Sequence, residues 1–351
     1  MGNGKVKIGF AGVGFMGQVA HLRNYLRNDN CEVVAIAEPR QELARKVAER
    51  YGIPKVYKSH LELAADPDVQ AVVASQPHLL NGYIAIPLLR AGKSVFVEKP
   101  MAGSYAEAVE MVEAAHAGGA KLMVGFMKRY DEGVNLAKDR LDAFRASGEM
   151  GPAAFVNAYC FGGDWIRGVE GPVSTDEPAI ANPDFRPRNP EWLKPEQVEA
   201  FNLYMNIFAH NLNLVRYLFP GHIEARAALL RKDTFQQSTL LESDGVPINL
   251  YGAPVRASWW EEKTEFYFQN GWLRVMTPSP LSQQESARVE LYRGDLAETA
   301  LLDSRPSWAF RRQADHFVDC IANNQTPRSN GEDCLEDMRI MEDVFRKGQW
   351  S

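Results

Sequence analysis

Lys99 and His210 are the side chains of this sequence best suited to handle a proton or a developing alkoxide near neutral pH. An ammonium is a compact positive charge whose pKa falls where water is excluded, and an imidazole titrates close to neutrality. Asn206 stands four residues before His210, so on a helix the two share a face. Its amide can orient a hydroxyl but cannot accept the hydroxyl proton. Together such groups suit the oxidation of an alcohol, which needs a base for the O–H proton, charge stabilisation for the oxygen and an acceptor for the hydride. Outside a site, a lysine after a strand is an ordinary solvated group. A histidine in the apolar run 208–212 is equally an ordinary core residue.

The hydride acceptor has its own pattern. A short apolar run at 8–11 ends in Gly12-x-Gly14-x-x-Gly17 and flows into a helical pattern over 15–27. In such a strand, turn and helix the glycines permit the tight turn, the approach of backbone to a pyrophosphate and close packing of helix on strand. The helix start, with Phe15 and Met16, then turns N–H groups toward the phosphates. Glu38 closes a second strand pattern, 32–37, about twenty residues further on, where an acidic side chain binds the adenosine ribose diol. This favours NAD over NADP. Arg40 is the opposing signal, since a nearby arginine suits a 2′-phosphate.

Strand and helix alternate from residue 5 to about 125. Strands are predicted at 69–74, 94–97 and 121–125, and helices at 41–50, 79–90 and 105–117, stopped at Gly52, Gly92 and Gly118-Gly119. Continuous apolar strands separated by helices imply a doubly wound parallel sheet covered on both faces, with functional residues at the strands' carboxyl ends. Glu98-Lys99-Pro100 follows one such strand. Past residue 126 the pattern changes. A helix over 132–147 is followed by strand-like runs at 153–161, 223–230, 234–241, 246–251, 255–260, 264–269, 272–276 and 288–292, with Asn270-Gly271 as a hairpin turn. Helices at 308–323 and 332–347 end the chain. The expected division is a dinucleotide-binding domain over 1–127 and an α+β domain over 128–351 with an open-faced, largely antiparallel sheet, the last helices packing back toward the first domain. The stretch 162–195 is long for a loop, and its Trp165, Trp192, Arg167, Arg186 and Arg188 suggest an ordered lid able to stack on a sugar ring or pair with an anion. An oligomer contact is the other reading of it.

With 351 residues, 45% apolar content, 24% charge and a net charge of −6, the chain reads as an ordinary globular protein of two domains. No basic block points to nucleic acid or an anionic membrane. Cys31, Cys160, Cys320 and Cys334 are scattered, which argues against a disulfide framework or a zinc site. No metal is expected. The N-terminus enters the first strand directly, without the pattern of a signal peptide, and a cytoplasmic protein is expected. His21, His60, His116, His222 and His316 have no supporting constellation and read as structural or surface groups.

The glycine triplet, Glu98-Lys99-Pro100, Arg129-Tyr130-Asp131, the helix carrying His210 and the tail segment 317–321 together resemble the Gfo/Idh/MocA oxidoreductase family, over nearly the whole chain. The resemblance implies a nucleotide-binding domain followed by an open-faced mixed sheet, NAD(P) chemistry on sugars, inositols or related polyols, and homodimers or homotetramers formed through the sheets. It makes Lys99 the active-site lysine and His210 the helix histidine. It adds Ser75, Gln76, Pro77, His78, Asn81 and Glu98 to the cofactor set and Arg129 and Tyr130 to the substrate set. Asn206 stands where the family has aspartate, Asn213 where a second acidic residue is common and Asn81 where histidine is frequent. The expected activity is an NAD-dependent hydride transfer at a ring hydroxyl or ketone of a sugar, cyclitol or glycoside. An NAD-retaining, redox-neutral glycosidase and a non-catalytic dinucleotide sensor are the alternatives.

Overall fold

The computed structural model describes residues 4–166, 168–178, 184–231 and 236–350. Among the described residues the chain divides into two compact units, the first formed by 1–125, 168–190 and 310–338 and the second by 126–167, 191–309 and 339–351.

The first unit is built on a parallel sheet of six strands, β1 (Val6–Ala11), β2 (Cys31–Ala37), β3 (Lys55–Tyr57), β4 (Ala71–Ala74), β5 (Ser94–Val97) and β6 (Leu122–Val124), in the order β3-β2-β1-β4-β5-β6. β4 and β5 are buried along their whole length, as strands covered on both faces must be. A helix that opens with a π turn, Gly17–Leu22, continues as α1 (Arg23–Leu26); α2 (Gln41–Tyr51), α3 (His60–Ala65), α4 (Asn81–Arg90) and α5 (Tyr105–Gly118) follow. Strand order reverses between β1 and β4, which in doubly wound sheets opens the ligand crevice at the carboxyl ends of those strands.

The second unit contains α6 (Glu132–Ser147), β7 (Ala153–Gly162), α7 (Val198–Leu218), β8 (Ile223–Leu230), β9 (Gln237–Ser243), β10 (Val246–Gly252), β11 (Glu261–Phe268), β12 (Gly271–Met276), β13 (Arg288–Arg293) and β14 (Glu298–Leu302). Helix α8 (Ala309–Ala322) and most of the first half of α9 (Gly331–Lys347) group with the first unit, and the short β15 (Gly348–Trp350) with the second. The nine-stranded sheet runs β14-β13-β12-β11-β7-β10-β9-β8-β15; β7–β10 and β8–β15 are parallel pairs and the others antiparallel. Burial alternates along β9, so one face of the sheet is covered while Leu240, on the other, is exposed.

The division departs from a single cut at 127/128 because later stretches bond into the first sheet's environment. Val124 N–H donates to Ser329 O at 2.8 Å, and Phe317 packs edge-on against Phe96. The strand expected at 255–260 is instead irregular. Pro254 interrupts the donor row, Ala257 N–H turns back to Val255 O at 3.1 Å, and pairing resumes at Glu261. The expected strand at 234–241 begins at Gln237, and residues 234 and 235 lie outside the described residues. β3, α3, β14 and β15 are too short to give a periodic signal in the sequence.

Candidate active site

The glycine turn of the first unit is a cradle that a single Cβ would fill. Gly12 has φ of +87°, and a Cβ there would lie 2.6 Å from Ser75 O. One on Gly17 would lie 2.8 Å from Gly12 O, so the turn, the end of β4 and the following helix pack backbone to backbone. Gly14 is open by comparison, its nearest neighbour being Arg40 Nη2 at 3.5 Å. Phe15 is exposed and Met16 half-buried. Across the crevice, Gln76 donates from Nε2 to Asn81 Oδ1 at 2.9 Å, while its own buried Oε1 has no hydrogen-bond partner among the described residues. Pro77 is exposed and His78 opens a short 3₁₀ turn. These features fit a dinucleotide, whose pyrophosphate needs close backbone approach and whose polar groups need acceptors such as Gln76 Oε1.

Glu38 is buried at the end of β2. Its Oε2 accepts from Val13 N–H at 3.1 Å and Arg40 Nη2 at 3.1 Å, and its Oε1 from Arg40 Nε at 2.8 Å. The Arg40 backbone N–H reaches the same Oε1 at 3.3 Å. The guanidinium fork is therefore engaged by a carboxylate of its own chain, and a ribose diol would draw Glu38 away from part of it.

Lys99, half-buried, sits in a turn that is held from two sides. Asn81, fully buried, donates from Nδ2 to Glu98 O at 2.6 Å and Pro100 O at 2.9 Å, bracketing the cis Lys99–Pro100 peptide. Glu98 accepts from Lys99 N–H at Oε2, 3.1 Å away, and meets His21 Nε2 at Oε1, 2.7 Å away. His21 is 1% exposed and its ring contacts Phe96 and Phe310. The expectation that His21 lacks a constellation is thus corrected. It lies on the π turn that follows the glycines, which aims it at the residue preceding Lys99.

In the second unit, His210 and Asn206 occupy the same side of α7 one turn apart, His210 half-buried and Asn206 exposed. Tyr204, Met205, Phe208 and Leu212 anchor the opposite face. Phe126 meets the His210 ring edge to face, with centroids 6.5 Å apart. Below them lies a buried polar network that sequence reasoning missed. Glu262, 5% exposed, receives Lys128 Nζ and Asn211 Nδ2 at Oε1, the latter at 2.7 Å, and Trp260 Nε1 and Thr277 Oγ1 at Oε2, each at 2.9 Å. Every one of its partners is a donor, as a buried carboxylate requires. Arg129 is buried beside it, donating from Nε to Asn213 Oδ1 at 2.7 Å and lying over the Tyr217 ring at 5.2 Å. Tyr130 is buried as well. Asp131 caps α6 through Val134 N–H at 3.0 Å and holds Ala287 N–H at 3.0 Å, with desolvation raising its pKa.

The described parts of the loop 162–195 have definite partners. Arg188 forks onto Glu110 at 2.8 and 2.5 Å in the first unit. Trp192 donates to Glu342 at 3.3 Å in the second, with Arg346 over its ring. Trp165 is exposed, and Arg167 lies outside the described residues.

The sheet order, the glycine turn and the acidic residue after β2 define a dinucleotide-binding protein of the Rossmann type carrying a second α+β unit. Residues 6–126 match the GFO_IDH_MocA model, described as an oxidoreductase family with an NAD-binding Rossmann fold. An inositol 2-dehydrogenase of Salmonella typhimurium is 29% identical over 202 residues, 57% of each chain. An inositol 2-dehydrogenase/D-chiro-inositol 3-dehydrogenase of Shouchella clausii is 37% identical over 139 residues, 39% of this chain and 40% of the relative. The chain thus spans about half the length of the curated relatives it matches. Over 99% of the chain, the fold is similar to that of a 3-ketoreductase from Actinomadura kijaniata solved with NADP and TDP-benzene, with a TM-score of 0.76, 22% identity and 98% of that chain covered.

Proposed function

We propose that this chain is an NAD-dependent oxidoreductase that moves a hydride between nicotinamide and a ring hydroxyl or ketone of a sugar, cyclitol or glycoside. The observation that carries the reading is the Lys99 turn. An ammonium is presented at the carboxyl end of β5, its backbone fixed by Asn81 and Glu98, one strand away from the crevice where a dinucleotide fits. The likeness to inositol dehydrogenases supports a polyol or sugar as the substrate class.

When bound, the nicotinamide supplies the hydride acceptor. In this reading the Lys99 ammonium stabilises the oxygen as it gains negative charge, His210 takes the hydroxyl proton, and the Asn206 amide orients the hydroxyl. In the reverse direction His210 returns the proton to the carbonyl oxygen. The chain is further taken to pair as a homodimer or homotetramer through the half-exposed face of the nine-stranded sheet, which light scattering of the purified chain would measure.

The test is to incubate the full chain and NAD with a panel of sugars, inositols, sugar acids and glycosides and follow reduced nicotinamide by absorbance. Turnover on at least one polyol is expected. Silence across the panel in both directions, with cofactor demonstrably bound, would remove the redox reading.

A further inference from the structure

Helix α2 begins just after Glu38 and Arg40, so its first turn borders the place where this fold holds the adenosine ribose. A 2′-phosphate arriving there would seek two things, the guanidinium of Arg40 and the free N–H groups of the helix start. Both are already engaged by carboxylates of the same unit. Glu38 holds the guanidinium. Glu177, more than a hundred residues away in sequence, accepts from Glu42 N–H at 3.0 Å and from Leu43 N–H at 2.8 Å.

Glu177 is not a stray surface contact. The Thr175 hydroxyl donates to its Oε2 at 3.1 Å. The segment that carries it is moored again at Val173, whose N–H donates to Gln18 Oε1 at 2.9 Å and whose carbonyl accepts from Gln18 Nε2 at 2.9 Å. The same Nε2 donates to Val13 O, 2.8 Å away in the glycine turn. The segment is therefore fastened to the turn at one point and to the start of α2 at another. Hydrogen bonds from α2 and Thr175 lower the pKa of Glu177, with Arg40 adding a favourable charge, so it is ionised at neutral pH.

We propose that Glu177 is a specificity-determining residue that confines the dinucleotide site to NAD by occupying the helix N–H donors that the 2′-phosphate of NADP would need. NADP would have to displace one carboxylate from the helix start and then lie beside it and Glu38, with like charges opposed at short range. NAD, with a neutral diol, meets no such penalty. This rests on the dinucleotide reading given above and adds to it a residue that lies outside the glycine turn and its acidic partner.

The test is direct binding without turnover. The full chain and its Glu177→Gln, Glu177→Ala and Glu177→Asp variants are titrated separately with NADH and NADPH, following nicotinamide fluorescence, with thermal melts to confirm folding. Wild type should prefer NADH. In the Gln and Ala variants the ratio of the NADPH to the NADH Kd should fall about tenfold, with the change carried by NADPH, while Asp keeps a ratio near wild type. An unchanged ratio in both neutral variants, or a wild type that binds NADPH as tightly as NADH, overturns the role of Glu177. A wild type that binds neither dinucleotide overturns instead the reading on which it rests.

Discussion

His21 Nε2 stands 2.7 Å from Glu98 Oε1 with both side chains buried, so one hydrogen bond ties the helix behind the glycine turn to the residue that precedes Lys99. The other oxygen of Glu98 accepts from Lys99 N–H. The glycine turn and the lysine turn are thereby held together as one piece of the first unit.

Removing His21 should loosen that piece. His21→Ala leaves a buried carboxylate short of a partner and opens a cavity beside Phe96 and Phe310, with an expected loss of about 2–4 kcal/mol in urea unfolding. Glu98→Gln, which keeps the shape and a hydrogen-bonding oxygen, should lose less. A full loss in His21→Ala beside no loss in Glu98→Gln would show that the contact is packing rather than polar.

Lys99→Met and His210→Gln separate chemistry from binding. Each should lower kcat by about 10²–10⁴-fold, while the NADH Kd of Lys99→Met changes by less than about threefold. Turnover of Lys99→Met within about threefold of wild type would discard the charge-stabilising role of the lysine.

Lys128→Met strands Glu262 among Asn211, Trp260 and Thr277 without its cation. A loss of about 3–5 kcal/mol is expected by chemical denaturation, and the double change with Glu262→Gln should recover part of it. Full additivity of the two changes would contradict direct coupling.

His316 is expected to act on stability in the acid range. Burial and Arg328 lower its pKa to about 4, and its Nε2 accepts from Arg328 N–H at 3.0 Å, a bond that a proton on that nitrogen would break. Because the folded-state pKa lies below the unfolded value, the unfolded chain takes up the proton first as pH falls. This contribution is therefore full above the unfolded pKa and is lost between about pH 6.5 and 4. With solvent screening, about 1–2 kcal/mol of stability should disappear over that window and His316→Gln should flatten it, as read from urea midpoints against pH.

The features legible in the sequence are those in which local backbone geometry dictates residue type. Gly12 must be glycine because a Cβ would meet Ser75 O, and Glu38 ends a strand whose apolar run announces it. The alternating strands and helices likewise carried the parallel sheet. Contacts between distant residues left no such mark. His21 and Glu98, Gln18 and Val173, Glu177 and α2, and Lys128 and Glu262 are each joined by folding, and no spacing rule pairs them. The alternation of Val255, Ala257 and Trp259 imitates a strand, but Pro254 and the tight turn at Ala257 override it. Arg188 and Trp192 suggest ligand binding by type alone, yet Glu110 and Glu342 already engage them.

The discontinuity of the first unit limits how the chain can be cut. A piece excised after Gly125 keeps all six parallel strands but loses Phe310, Phe317 and Ser329, which cover His21, Phe96 and the edge of β6, together with the stretch that fastens Gln18. Such a fragment exposes apolar rings and unpaired amides together and should aggregate, because the sheet's last layer is supplied by the opposite end of the polypeptide.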